Sequence, residues 1–277
     1  MLHKITRRAA VALAVMAALT GTAHAQKVAD IKKSGVLKVG AQVAQVPFGF
    51  TDKNNKLTGY DIEFAEMLAK DLGVRADFTP VTVANRTAAL LTGQVDVLAA
   101  VVSIFPDRQK VVLFSRPYSY NEVVLIGKAS MPALGNWDSL KSYRIGVPRG
   151  SVQDSAVTQA KTGATIQRFD DDAAAVQALL SGQVDLVGAS NTQIAPIDQV
   201  AGAGKYAIKF PISRNYQGAA VRPGEREWMT YINDFIGRKI ASGELDALYK
   251  KWMGQEMAKD MPTTGEGEAA LAVMLAK

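Results

Sequence analysis

A chain of 277 residues, 48% hydrophobic and 21% charged, has material for one large or two modest domains, and with no cysteine it forms no disulfide. Its two histidines, His3 and His24, both fall in a segment that reads as a secretory signal over residues 1–25. There Lys4, Arg7 and Arg8 precede an apolar run, and Ala23-His24-Ala25 forms a cleavage site that puts the mature start at Gln26. Losing that segment takes three of the 32 basic residues and leaves 29 against 26 acidic, so the formal +6 falls to +3 and nucleic-acid binding has no support. The remaining inventory excludes Cys/His zinc sites, Ser-His-Asp triads and Cys-His dyads. Beyond residue 25 no stretch approaches the roughly 18 apolar residues a membrane helix needs.

In chain order, residues 28–34 read as a short amphipathic helix and Val36-Leu37-Lys38-Val39-Gly40 as a buried strand. Alternation over residues 48–58, around Asp52-Lys53-Asn54-Asn55, predicts a β-hairpin. Ile62, Phe64, Ala65, Leu68, Ala69 and Leu72 share one helical face, closed by Gly73. A strand over 74–81, a helix over 84–91 and a strand over 95–102 follow, and this β-α-β-α-β order implies a parallel sheet. The β-rich run at 118–128 leads into a loop marked by Met131-Pro132 and Gly135-Asn136. The first series then recurs as strand 143–147, helix 151–161, strand 165–169, helix 172–180 and strand 184–189. Leu90-Leu91-Thr92-Gly93-Gln94-Val95-Asp96-Val97 returns as Leu179-Leu180-Ser181-Gly182-Gln183-Val184-Asp185-Leu186, a helix end, a C′ glycine and a buried strand used twice. Helices over 225–241 and 244–253 close the globular part. Residues 255–277 read as a loosely attached tail, with a short helix possible over 269–276.

Gly59-Tyr60-Asp61-Ile62-Glu63-Phe64, with Leu68-Ala69 and Leu72, resembles the signature of family 3 periplasmic solute-binding proteins, which serve polar amino-acid ABC importers. Val46-Pro47-Phe48, Asp107-Arg108-Gln109-Lys110, Phe114-Ser115, Gly243-Glu244-Leu245 and Tyr249-Lys250-Lys251-Trp252 fit the same pattern, across about residues 35–254. The resemblance implies an α/β, two-lobed, type II periplasmic binding protein, each lobe a mostly parallel sheet flanked by helices and joined by two hinge strands. It puts lobe 1 at 26–118 and 217–254, and lobe 2 with the hinge strands at 119–216. It further implies a periplasmic, monomeric binding protein without enzymatic activity, cofactor or metal, whose partners are an amino acid or small anionic solute and an inner-membrane ABC permease.

Arg108 is the leading candidate site residue. Pro106 suits the first turn of a short helix, the loop before it offers backbone N–H groups, and a guanidinium fork holds a carboxylate through two bonds. In similar proteins the matching arginine binds the ligand α-carboxylate, helped by the residues matching Val101 and Ser103. Arg86, after Asn85, matches a ligand-facing pair of the glutamate/aspartate-binding branch. Ser151 and Val152 open a helix in the second series, a natural anion site, and Arg149 adds a positive charge nearby.

Several positions depart from the family pattern. Ser190, followed by Asn191, stands where relatives place an aspartate for the α-ammonium. Gln42 and Gln45 replace an acid and an aromatic, and Val83 a stacking aromatic, which argues against basic amino acids. Asp170, Asp171 or Asp172 could substitute for that aspartate, but the acidic run reads first as capping and dipole compensation of the next helix, and Asp61 as a cap of its own. The expectation is a binding protein for an acidic or polar amino acid. The alternatives are a dicarboxylate binder without amine recognition, or a cyclohexadienyl/arogenate dehydratase-like enzyme with Asp172 as its acid.

Overall fold

A computed structural model describes residues 26–268 and 273–274. The expected signal at 1–25 and most of the possible helix at 269–276 lie outside the described residues. The chain supplies β1 (Val36–Ala41), β2 (Ala44–Gln45), β3 (Gly49–Thr51), β4 (Leu57–Thr58), β5 (Arg75–Pro80), β6 (Val97–Leu98) and β7 (Leu113–Phe114), then crosses over through the long strand β8 (Ser119–Lys128). Next come β9 (Arg144–Pro148), β10 (Thr165–Phe169) and β11 (Leu186–Ser190). The return runs through β12 (Tyr206–Gln217) and β13 (Ala220–Val221), and β14 (Val273–Met274) comes last.

One sheet has the order β5-β1-β6-β13-β7 and the other β10-β9-β11-β8-β12-β14, while β2, β3 and β4 form the expected hairpin layer. In each large sheet three strands pair in parallel, as the repeated β-α-β series dictates, and antiparallel strands complete the rest. Period-2 alternation distributes the apolar side chains. Val97, Ala99 and Val101 pack in one core and Leu98, Ala100 and Val102 in another. In the second sheet Val123 and Leu125 face one core, Val124 and Ile126 the other. Both faces of both sheets are therefore covered, giving two lobes joined by β8 and β12.

The duplicated octapeptide has a duplicated geometry. Gly93 and Gly182 take φ 77 and 76, the left-handed C′ conformation that ends each helix. Three residues on, the aspartates bond back to the first strand of their own series. The Asp96 carboxylate accepts Lys38 N–H at 3.1 Å while its own N–H donates to Lys38 O. Asp185 accepts Arg144 N–H at 2.9 Å and donates to Arg144 O.

Two expectations change. The strand expected over 95–102 is regular only at Val97–Leu98, because the chain turns at Val101, where φ is 51. Residues 255–268 are not loose: Gln109 Nε2 donates to Gly265 O at 2.8 Å and Met257 N–H to Asp246 at 2.9 Å. Gly265 lies so close to the Ser115 and Phe114 carbonyls that any side chain there would overlap them.

Candidate ligand-binding cleft

Parallel strands end where helices begin, and those ends converge. Gln42 follows β1, Arg86 lies beyond β5, Val101 and Ser103 follow β6, Ser151 and Val152 follow β9, Asp172 follows β10, and Ser190 ends β11. This crevice at the carboxyl ends of strands is where open α/β sheets bind ligands. All of these residues line one narrow cavity between the lobes, together with Gln45, Val83, Gln153 and, from hinge strand β8, Asn121 and Val123.

Three expected residues lie elsewhere. Asn191 sits behind the hinge strands, in a separate cavity. Arg108 is half-buried at the rim, with Nη1 donating to Ser103 O at 3.0 Å and Nη2 reaching across the cleft to Gly150 O at 3.2 Å. Its guanidinium lies 5.6 Å from the centre of the Phe105 ring. Burial lowers its pKa to about 10, which leaves it cationic at neutral pH. Arg149 is exposed and lines no part of the cavity.

The buried cation is Arg86, 4% exposed. Its Nη1 donates to Ala100 O at 2.6 Å and to Val101 O at 3.2 Å. Burial, reinforced by the like charge of Arg108, lowers its pKa to about 9, against the opposing pull of Asp172 and Asp61.

Opposite it stands Asp172, 3% exposed. Asp171 does the capping, accepting Ala174 N–H at 2.8 Å, so Asp172 is released toward the cleft. Burial pushes the Asp172 carboxyl up to about 7; Arg86 pulls it down, and Asp171 adds to the rise. The sequence carried the signal, three consecutive acids, but one cap explains only one of them.

Neutral polar groups fill the remaining wall. Gln42 Nε2 donates to Gln45 Oε1 at 2.8 Å and to Ala100 O at 3.1 Å, and Gln153 Nε2 to Gly188 O at 3.2 Å. Ser151 caps its helix through Asp154 N–H at 3.1 Å. Gln193 Nε2 donates to Val46 O at 2.6 Å, a second bond between the lobes. Among the described residues no group of His, Cys, Asp and Glu side chains is arranged to hold a metal ion.

Residues 37–255 match the family described as bacterial extracellular solute-binding proteins, family 3. The L-cystine-binding protein TcyJ of Escherichia coli (strain K12) is 30% identical over 230 residues, covering 83% of this chain and 86% of the relative. A mutant of ArgBP from T. maritima superposes with a TM-score of 0.77 at 28% identity, covering 83% of this chain and all of that one. An ancestral arginine-binding protein bound to glutamine gives a TM-score of 0.74 at 34% identity, with 80% and 99% covered. The two-lobed α/β fold, the cleft at the strand ends and these likenesses lead to one assignment: the chain belongs to the family 3 bacterial extracellular solute-binding proteins, the non-enzymatic substrate-binding components of amino-acid ABC transporters.

Proposed function

We propose that the ligand is an acidic amino acid, L-glutamate or L-aspartate, bound in the periplasm by a monomer and passed to an inner-membrane ABC permease. One observation carries the reading: Arg86 and Asp172 face the same cavity from different lobes, with Arg108 at its rim. Two cations and one carboxylate complement a molecule with two carboxylates and one ammonium. Each ligand charge then meets an opposite charge in a site with little water to screen it.

The count also ranks the competitors. An amine-free dicarboxylate leaves Asp172 buried beside no cation of the ligand, so the amine clamp absent at Ser190 is supplied by Asp172. A neutral amino acid leaves one arginine unmatched, and a basic one adds a like charge. Gln42, Gln45, Asn121 and Gln153 offer hydrogen bonds without changing this balance. Because the two lobes hold opposite halves of the ligand, binding and closure are linked.

Calorimetric titration of the purified protein with L-glutamate, L-aspartate, L-glutamine, L-arginine, L-cystine and glutarate tests the reading. The acidic amino acids are expected to bind tightest and glutarate at least tenfold more weakly. Tight binding of L-arginine or L-cystine with no heat from L-glutamate would overturn it.

A further inference from the structure

Val101 has a backbone conformation that its side chain disfavours. Its φ of 51 lies in the left-handed region, and among the described residues it is the β-branched one of three non-glycine residues with positive φ, beside Asn55 and Lys161. The turn has a consequence in the cleft: the Ala100 and Val101 carbonyls both accept hydrogen bonds from Arg86 Nη1.

What holds the turn is Asp61, 1% exposed on the helix Tyr60–Leu72. Asp61 does not cap that helix, whose N-cap is Gly59 with no side-chain cap bond. One carboxylate oxygen accepts Val101 N–H at 2.8 Å and the other accepts the Tyr118 hydroxyl at 2.8 Å. Tyr118 is itself fixed, fully buried and stacked on Phe64 with centroids 4.1 Å apart. Burial pushes the Asp61 carboxyl up to about 7, against the pull of the Tyr118 hydroxyl, the Val101 N–H and Arg86. Its hold on the turn therefore rests on the two hydrogen bonds, which a neutral side-chain oxygen can also accept.

We propose that Asp61 is a positioning residue of the binding site: by holding the Val101 N–H it maintains the left-handed turn that aims two carbonyls at Arg86 and so fixes the buried cation. The inference rests on the reading of Arg86 as a ligand-binding cation, but it has a readout that needs no ligand. Glycine adopts φ near 51 without strain, so Val101→Gly should make the turn independent of Asp61.

The experiment is a double-mutant cycle of Asp61→Ala and Val101→Gly in the full chain, read by thermal midpoint without ligand and by calorimetric titration with L-glutamate. Asp61→Ala is expected to lower affinity at least tenfold in the wild-type background and less than threefold in the Val101→Gly background. Its loss in thermal midpoint should shrink in parallel. Asp61→Asn should retain affinity within threefold, because its Oδ1 can still accept Val101 N–H while Nδ2 donates to Tyr118 Oη. Should Asp61→Ala fail to fold, Tyr118→Phe removes one anchor of the carboxylate and leaves the Val101 bond. It should cost threefold or more in affinity, recovered with Val101→Gly. Equal losses in both backgrounds, or unchanged affinity in Asp61→Ala and Tyr118→Phe, would overturn the proposal. If L-glutamate proves not to be the ligand, the midpoint coupling between residues 61 and 101 still decides the role of Asp61.

Discussion

Asp171 and Asp172 are adjacent and identical, yet the helix they precede divides their work. Asp171 meets the helix N–H groups, while Asp172, one position on, is carried into the cleft and buried. Replacing Asp172 by asparagine keeps the shape and removes the charge. Affinity for L-glutamate should fall by about 2–3 kcal/mol, the range for losing one charged partner of a buried pair, while glutarate gains relative to it. The same residue gives a pH signature. Its folded pKa, about 7, lies above the unfolded value of 3.8, so the folded chain binds the extra proton between those limits. This group's contribution to stability is therefore largest at acid pH and is lost as pH rises through about 7. A bound ammonium favours the ionised form, so stabilisation by L-glutamate should be larger at about pH 8 than at about pH 5.5. Scanning calorimetry at both values, with and without ligand, measures this; a ligand-induced shift with the same pH dependence in Asp172→Asn would refute it. In the sequence the acidic run was visible but its division was not, because which carboxylate caps depends on where the helix starts. Arg86 was legible only by resemblance, since an arginine at a helix start is ordinary until the neighbouring strand ends close over it.

At the level of elements, the repeated Leu-Leu-(Thr/Ser)-Gly-Gln-Val-Asp is a folding unit whose last residue ties a helix–turn to the first strand of its lobe. The two copies differ in surroundings. Asp96 is 8% exposed and also holds Lys27 and, at 3.9 Å, Arg222. Asp185 is half-buried and holds Arg144 at 2.7 Å, an arginine that itself faces solvent. Asp96→Ala should therefore destabilise by about 2 kcal/mol, since it leaves the part-buried Lys38 N–H and Lys27 without their acceptor, while Arg222 keeps Glu225. Asp185→Ala should cost about 1 kcal/mol, because water reaches its partners. Urea unfolding of the two variants decides the order, and equal losses would contradict it. The repeat was readable because helix end, glycine and strand each leave a local pattern. The shortened strand after Leu98 and the docking of residues 255–268 were not, because they depend on partners distant in sequence: Asp61 for Val101, and Gln109 and Ser115 for Gly265.

For the molecule as a whole, the hinge register separates front from back. Arg214 pairs with Glu122, Asn215 with Asn121 and Ser213 with Val123, so cross-strand partners share a face. Asn121 and Val123 line the ligand cleft. Tyr120, Glu122 and Arg214, on the opposite face, floor a cavity of about 390 Å³ behind the hinge, walled by Asn191 on one side and by Tyr249 and Gln255 on the other, and Asn121 reaches this cavity as well as the cleft. Rotation about β8 and β12 that narrows the front widens this rear space. A bulky side chain placed there obstructs opening rather than closing. Gln255 is exposed, so Gln255→Trp fills the rear cavity without touching the cleft. The apparent dissociation constant equals the intrinsic one divided by the closed fraction, so a wedge that raises this fraction tightens binding. Affinity for the cleft ligand should rise roughly three- to tenfold, about 1 kcal/mol, with the gain appearing in a slower off-rate as opening is hindered. Stopped-flow and calorimetric measurements of Gln255→Trp against Gln255→Ala separate the wedge from simple loss of the amide. Weaker binding in the tryptophan variant would mean that the rear space closes with the cleft, and that the lobes move by a path other than rotation about the two hinge strands.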